Sequence, residues 1–231
     1  MDNYYQENEK RIMGEIKLAI PHYRRFVVEA YGILLADAII AETLERFLAG
    51  LSQIPFIGGR DNRLTENLYL SSAMLAFYQA LKTQGKTVVE AARIIYLGTA
   101  HMYSSLPFLI MLRLRGWRLF NYHSLANLQR DASKSQERKY AGDWVYNLVE
   151  GDAQRFIFGV NYTECGIQKY LAEQGASELT AHLCWLDYPM CAAMRVGLIR
   201  TQTLAQGGDY CNFRFCRWQD RPDLITEFMK V

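Results

Sequence analysis

The feature that most constrains this chain is a single change of hydrophobic period. Through the first 140 residues apolar side chains recur at steps of three and four, and from about Asp143 they recur at every second position. The first spacing lays one apolar stripe along a helix, and the second lays one apolar face along a strand. The expected fold is therefore α+β: a helical N-terminal half packed on a C-terminal four-stranded antiparallel sheet with inserted helices. Residues 1–140 are expected to form the helical region and 141–231 the α+β region, together one integrated domain. At 231 residues the chain can bury a sizeable core.

In the helical half, Ile33, Leu34, Ala38, Ala41, Leu44 and Leu48 predict one amphipathic helix across about Tyr23–Ala49. A loop signal with Pro55, Gly58 and Gly59 follows, then a helix over about Thr65–Gln84. Thr87 and Glu90 form a capping box for the next helix, and residues 106–138 predict one or two more. In the second half, DWVYNLVE and RFIFGVNY alternate and predict a hairpin turning at Glu150–Gly151–Asp152. Thr163 is expected to cap a helix running through Tyr170 and stopping near Gly175, and Ser177 to open another through LCWLDYP. Gly197 to Trp218 predicts a second hairpin. Leu198, Arg200, Gln202 and Leu204 alternate with Ile199, Thr201 and Thr203, AQGGD turns, and Cys211, Phe213 and Phe215 alternate with Asn212, Arg214 and Cys216. RPDLITEFMKV is expected to be a short tail.

Composition narrows the function. A formal net charge of +2 gives no general argument for nucleic-acid binding. The start, MDNYYQENEKR, lacks the basic and apolar regions of a secretory signal, and no apolar run approaches the ~20 residues that span a bilayer. Five cysteines in such a chain predict reduced thiols and a cytoplasmic location. His22, His101, His123 and His182 form no close pair in the sequence and match no metal-ligand spacing. Arg113, Arg115 and Arg118, with the later Lys134, Arg138 and Lys139, read most simply as a solvated helical face, a membrane-surface role being the sharper alternative.

The chemistry concentrates in the last third. Cys165, Cys184 and Cys211 sit in polar contexts, and with Asp187 they leave room for a zinc site, although their spacing is not that of two close ligand pairs. Small buried cysteines are the blander reading. Asp187 follows Cys184 by three residues, a helical spacing that puts carboxylate and thiol on one face, suited to acid–base or nucleophilic work. Arg200 and Gln202 are expected on one side of a strand as a grip for a carboxylate, with Arg214 on the partner strand as a second grip or as a partner for Asp209 or Asp187.

DWVYNLVEGD, FGVNYTECGI, LCWLDYP and GLIRTQTLAQGGDYCNFRF resemble, in order and spacing, the L-2-amino-thiazoline-4-carboxylic acid hydrolase family, and PFIGGRDNRLTENL with ARIIYLGTA look like its helical half. The resemblance implies hydrolytic opening of a small cyclic amidine or isothiourea carboxylate. It implies Cys165, Cys184, Asp187 and Cys211 as catalytic residues. Arg200, Gln202, Asn212 and Arg214 are then the substrate-binding residues, Asn212 standing where an acidic residue is expected in many relatives. The alternative is a non-catalytic sensor or carrier holding a small carboxylate or hydrophobic ligand at a cysteine-rich, metal-competent site. Either reading involves a small-molecule partner, no nucleic acid and no membrane insertion, and admits a homodimer.

Overall fold

The computed structural model describes residues 3–152 and 154–220, so the expected C-terminal tail lies outside the described residues. In chain order the helices and strands are α1 (Tyr4–Glu7), α2 (Glu9–Tyr31), α3 (Ile33–Gly50), α4 (Thr65–Thr83), α5 (Val88–Ser104), α6 (Leu106–Leu119) and α7 (Tyr122–Ser135). They continue as β1 (Val145–Glu150), β2 (Phe158–Glu164), α8 (Gly166–Glu173), α9 (Ser177–Leu183), α10 (Asp187–Met194), β3 (Val196–Ile199) and β4 (Cys211–Arg217). The fold is α+β, as the change of period predicts. The described residues fall into two compact units: 3–102 with 140–142 and 166–183, and 103–139 with 143–165 and 184–220.

The first unit is helical. Ile12, Ile39, Phe47, Leu68, Leu81, Ile95 and Leu171 are wholly buried in it, each worth about 1.5–3 kcal/mol of transfer free energy. The inserted helix α8 packs on α4, where the buried Tyr170 hydroxyl meets Ser72 Oγ at 2.9 Å. Thr87 and Glu90 make the expected reciprocal cap: Thr87 N donates to Glu90 Oε2 at 2.8 Å and Glu90 N to Thr87 Oγ1 at 3.2 Å. The single helix expected over Tyr23–Ala49 is broken at Gly32, whose φ of 84° suits a residue without a Cβ. Apolar spacing runs on across that break, so periodicity alone could not reveal it.

The histidines need a correction too, because two of them meet in space. His22 and His101 bring their Nδ1 atoms to 2.9 Å, and Arg25 Nη1 lies 3.2 Å from His101 Nε2. A guanidinium only donates, so His101 Nε2 accepts and its Nδ1–H is donated to His22 Nδ1. Burial, then the neighbouring His101, lowers the His22 pKa below its ordinary 6.5. A depressed histidine binds its proton more readily in the unfolded chain. Its contribution to stability is thus complete above pH 6.5 and is lost as pH falls through the lowered folded value. Thermal midpoints measured from about pH 8 to about pH 5 should fall below neutrality, and His22→Gln should flatten that slope.

The second unit holds the four-stranded antiparallel sheet, in the order β1-β2-β4-β3. Its register places Tyr146 opposite Tyr162, Tyr162 opposite Cys211, Val160 opposite Phe213, and Phe158 and Leu198 on either side of Phe215. Cross-strand partners share a face. One face therefore carries Tyr146, Tyr162, Cys211, Phe213, Phe158 and Phe215, with the Phe158 and Phe215 rings stacked at 4.9 Å. The opposite face carries Asn161, Asn212, Arg214 and Cys216.

Two local expectations in this unit are overturned. The tight turn at Glu150–Gly151–Asp152 is a longer connection, in which Asp152 Oδ1 accepts the backbone N–H groups of Gln154, Arg155 and Phe156. Three donors to one carboxylate oxygen hold the loop open and keep the Asp152 pKa below its ordinary value. Thr163 is not a helix cap: it lies inside β2, and its hydroxyl donates to the Val145 carbonyl at 3.2 Å. The helix beyond it does stop at Gly175, whose φ is 65°. Among the described residues no single helix is long and apolar enough to cross a membrane.

Candidate functional site

The site is built around an arginine that leaves its strand. β3 ends at Ile199, so Arg200 and Gln202 do not project side by side from a sheet as expected. The chain instead loops from residue 200 to residue 210, and Asn212 on β4 holds that loop. Asn212 Oδ1 accepts Thr201 N and Gln202 N at 2.9 Å each, and its Nδ2 donates to Thr201 Oγ1 at 2.7 Å. One side chain thereby replaces two rungs of the ladder. The Gln202 side chain lies against Gly208 within the same loop.

Freed from the strand, Arg200 turns inward. Nη1 donates to Asp187 Oδ2 at 2.5 Å and Nη2 to the Cys184 carbonyl at 2.7 Å. The guanidinium packs over the Tyr188 ring at 5.0 Å and the Phe213 ring at 5.1 Å, contacts worth about 0.5–2 kcal/mol each when desolvated. Its side chain is only 5% exposed, whereas that of Asp187 is 29% exposed. Oδ1 of Asp187 has no partner among the described residues. Arg200 is thus a buried clamp that aims a carboxylate, not an open grip for a ligand.

The thiols gather around this pair. Cys184 opens a short 3-10 turn (Cys184–Leu186) that leads directly into Asp187, the first residue of α10. Cys184 lies within electrostatic range of Asp187, Arg200, Cys165 and Cys211, residues spread over 47 positions of the chain. Cys211, at the start of β4, receives the Leu204 N–H on its sulfur at 3.2 Å.

Burial pushes the Cys184 thiol well above its ordinary pKa, and the Asp187 charge adds to this while Arg200 opposes it. Burial raises Cys211 as well, against the Leu204 N–H and Arg200, which favour its thiolate. Burial also pushes Asp187 up, with Arg200 holding it back. Burial works against the Arg200 charge, but Asp187, Tyr188 and Cys184 outweigh it and its pKa rises. The arrangement is a carboxylate aimed by Arg200 beside two thiols, Cys184 and Cys211, whose protonated forms burial favours.

Arg214 and Asn212 lie on the opposite sheet face from Cys211 and Phe213. Arg214 donates to Asn161 Oδ1 and to the Phe213 carbonyl, both at 2.8 Å, and packs over Phe156 at 5.4 Å. Its expected pairing with Asp187 or Asp209 is not formed. Because side chains alternate along β4, Cys211 and Arg214 cannot share a face. Cys165, Cys184 and Cys211 carry no disulfide, and no group of three or more His, Cys, Asp or Glu among the described residues has the geometry to hold a metal ion.

Three neighbours escaped the sequence reading. Tyr162 is half-buried within range of Asp187, Cys165 and Cys211. Tyr188 lies beneath Arg200, and Cys191, one turn after Asp187, is buried within range of Asp187, Arg200 and Cys216. Tyr162 was findable, since it shares the odd–even parity of Phe158 and Val160 along β2.

Residues 119–215 match the family model for L-2-amino-thiazoline-4-carboxylic acid hydrolase, which bears out the resemblance read from the motifs of this segment. No curated protein and no solved structure matches the chain.

Proposed function

We propose that the second unit hydrolyses a small cyclic amidine or isothiourea carboxylate of the 2-amino-thiazoline-4-carboxylate type. The observation that carries this is the unpartnered Oδ1 of Asp187, aimed by a buried arginine among three cysteines. An amidinium is a planar cation with N–H donors, and a carboxylate held at one oxygen can accept them at the other. Asp187 then takes a proton from water as its oxygen bonds to the amidine carbon, and the C=N electron pair moves to nitrogen. The ring C–S bond then breaks as the added oxygen re-forms a carbonyl and releases its remaining proton to solvent, and the leaving sulfur takes up a proton. Asp187, which has just taken the water's proton, is placed to be its donor. Five cysteines without a disulfide support a reducing, cytoplasmic setting.

Purified protein should turn over 2-amino-thiazoline-4-carboxylate. Asp187→Asn, which keeps the shape but loses the base, should lower kcat by about 10²–10⁴. Cys165→Ala, Cys184→Ala and Cys211→Ala sort the thiols by role. If all four variants keep wild-type turnover, the assigned residues are wrong. A second reading, a ligand-binding module, is favoured by the raised thiols, which leave no standing thiolate. Thermal stabilisation by the same compound without turnover would decide for it.

A further inference from the structure

Helix α6 presents an apolar stripe to solvent. Leu106, Ile110, Leu114 and Trp117 follow one another at steps of four, four and three, and all four are exposed, Leu106 by 70% and Trp117 by 78%. The rotation of the helix is fixed by its other side, where Leu112 is buried and Gly116 lies against Met194 of α10. Arg113 precedes Trp117 by one turn and Arg118 follows Leu114 by one turn, so guanidinium groups flank the stripe on both sides. Tyr122, at the start of α7, is 81% exposed just beyond it. No Asp or Glu occurs between Glu90 and Asp131, a stretch that holds Arg93, Arg113, Arg115, Arg118 and Arg130.

We propose that α6 is a membrane-surface anchor, lying along an anionic bilayer with its apolar stripe in the interface and Arg113 and Arg118 on lipid phosphates. Each part of the pattern has its counterpart there. Leucine and isoleucine enter the acyl boundary, tryptophan and tyrosine favour headgroup depth, and long arginine side chains reach back to phosphate. Charge complementarity selects this occupant over a second copy of the chain. Two such faces brought together would oppose arginine to arginine, and α6 itself carries no acid to offset the repulsion. The helix lies on the surface and does not cross it, because α6 has 14 residues and a span needs ~20.

The test is sedimentation of the full chain with vesicles of phosphatidylcholine alone and of phosphatidylcholine with about one-third phosphatidylglycerol. Binding is expected to the anionic vesicles and to weaken as salt rises from ~0.1 to ~0.5 M. The double variant Arg113→Gln/Arg118→Gln should partition about 30-fold less, two lost charges acting on one surface potential. Trp117→Phe should abolish the blue shift of tryptophan emission on binding while leaving the circular dichroism of the free protein unchanged. Absence of binding, or equal binding to both vesicle types, would overturn the proposal. So would a concentration-dependent dimer that Ile110→Asp disperses, since the stripe would then belong to a second copy.

Discussion

Asp187→Ala should destabilise the second unit by about 3 kcal/mol, the lower end of what breaking a buried ion pair costs. The asymmetry of burial sets the expectation. Arg200 is 5% exposed, so removing its acid leaves a charge that cannot reach water and, being a guanidinium, cannot shed its proton. Asp187 is 29% exposed, so removing the arginine instead leaves a carboxylate that water can partly solvate. Arg200→Met, which retains most of the packing against Tyr188 and Phe213, should cost less, about 1–2 kcal/mol. Part of that loss comes from the Cys184 carbonyl, which gives up its donor. Urea midpoints at constant m would measure both. A loss below about 1 kcal/mol for Asp187→Ala, the range of exposed pairs, would show that the clamp does not hold the loop to α10.

This pair also marks the limit of what the sequence could show. Alternation along β4 correctly sorted Cys211, Phe213 and Phe215 from Asn212, Arg214 and Cys216, because strand geometry enforces a period of two whatever lies around it. The cap at Thr87 was equally legible, since its donors and acceptors lie within one turn. Arg200 was recognised as significant and given the wrong posture. Whether a strand continues past Ile199 is decided by Asn212, whose side-chain oxygen accepts the Thr201 and Gln202 N–H groups that a straight ladder would have used otherwise. That competition between a side chain and a backbone has no periodic signature. The meeting of His22 with His101, 79 residues apart, is a fact of helix packing and leaves no trace in spacing. The same holds for Arg214 and Asn161, which meet only because Gly159 and Arg214 are register partners between β2 and β4.

Gly116→Val, on the buried side of α6, should cost about 3 kcal/mol or more through overpacking. Helix propensity argues the other way, since glycine within a helix costs roughly 0.5–1 kcal/mol relative to alanine. The structure decides between them. A Cβ at Gly116 would fall on the Met194 carbonyl oxygen and within 2.9 Å of the carbonyl carbon, so it meets backbone, which has no rotamer to yield. Nor can that backbone withdraw easily. Met194 ends α10, Arg195 follows with φ 56°, and β3 begins at Val196. Displacing the carbonyl would drag on a strand already fixed in the sheet and on the helix whose first residue is Asp187. Gly14, in the interior of α2, supplies the control, because a Cβ there has nothing within 4 Å. Gly14→Ala should therefore stabilise by about 0.5–1 kcal/mol through chain entropy alone. Opposite signs at the two positions in urea unfolding would establish that α6 sits on α10 at backbone distance; a stabilising Gly116→Ala would show that it does not.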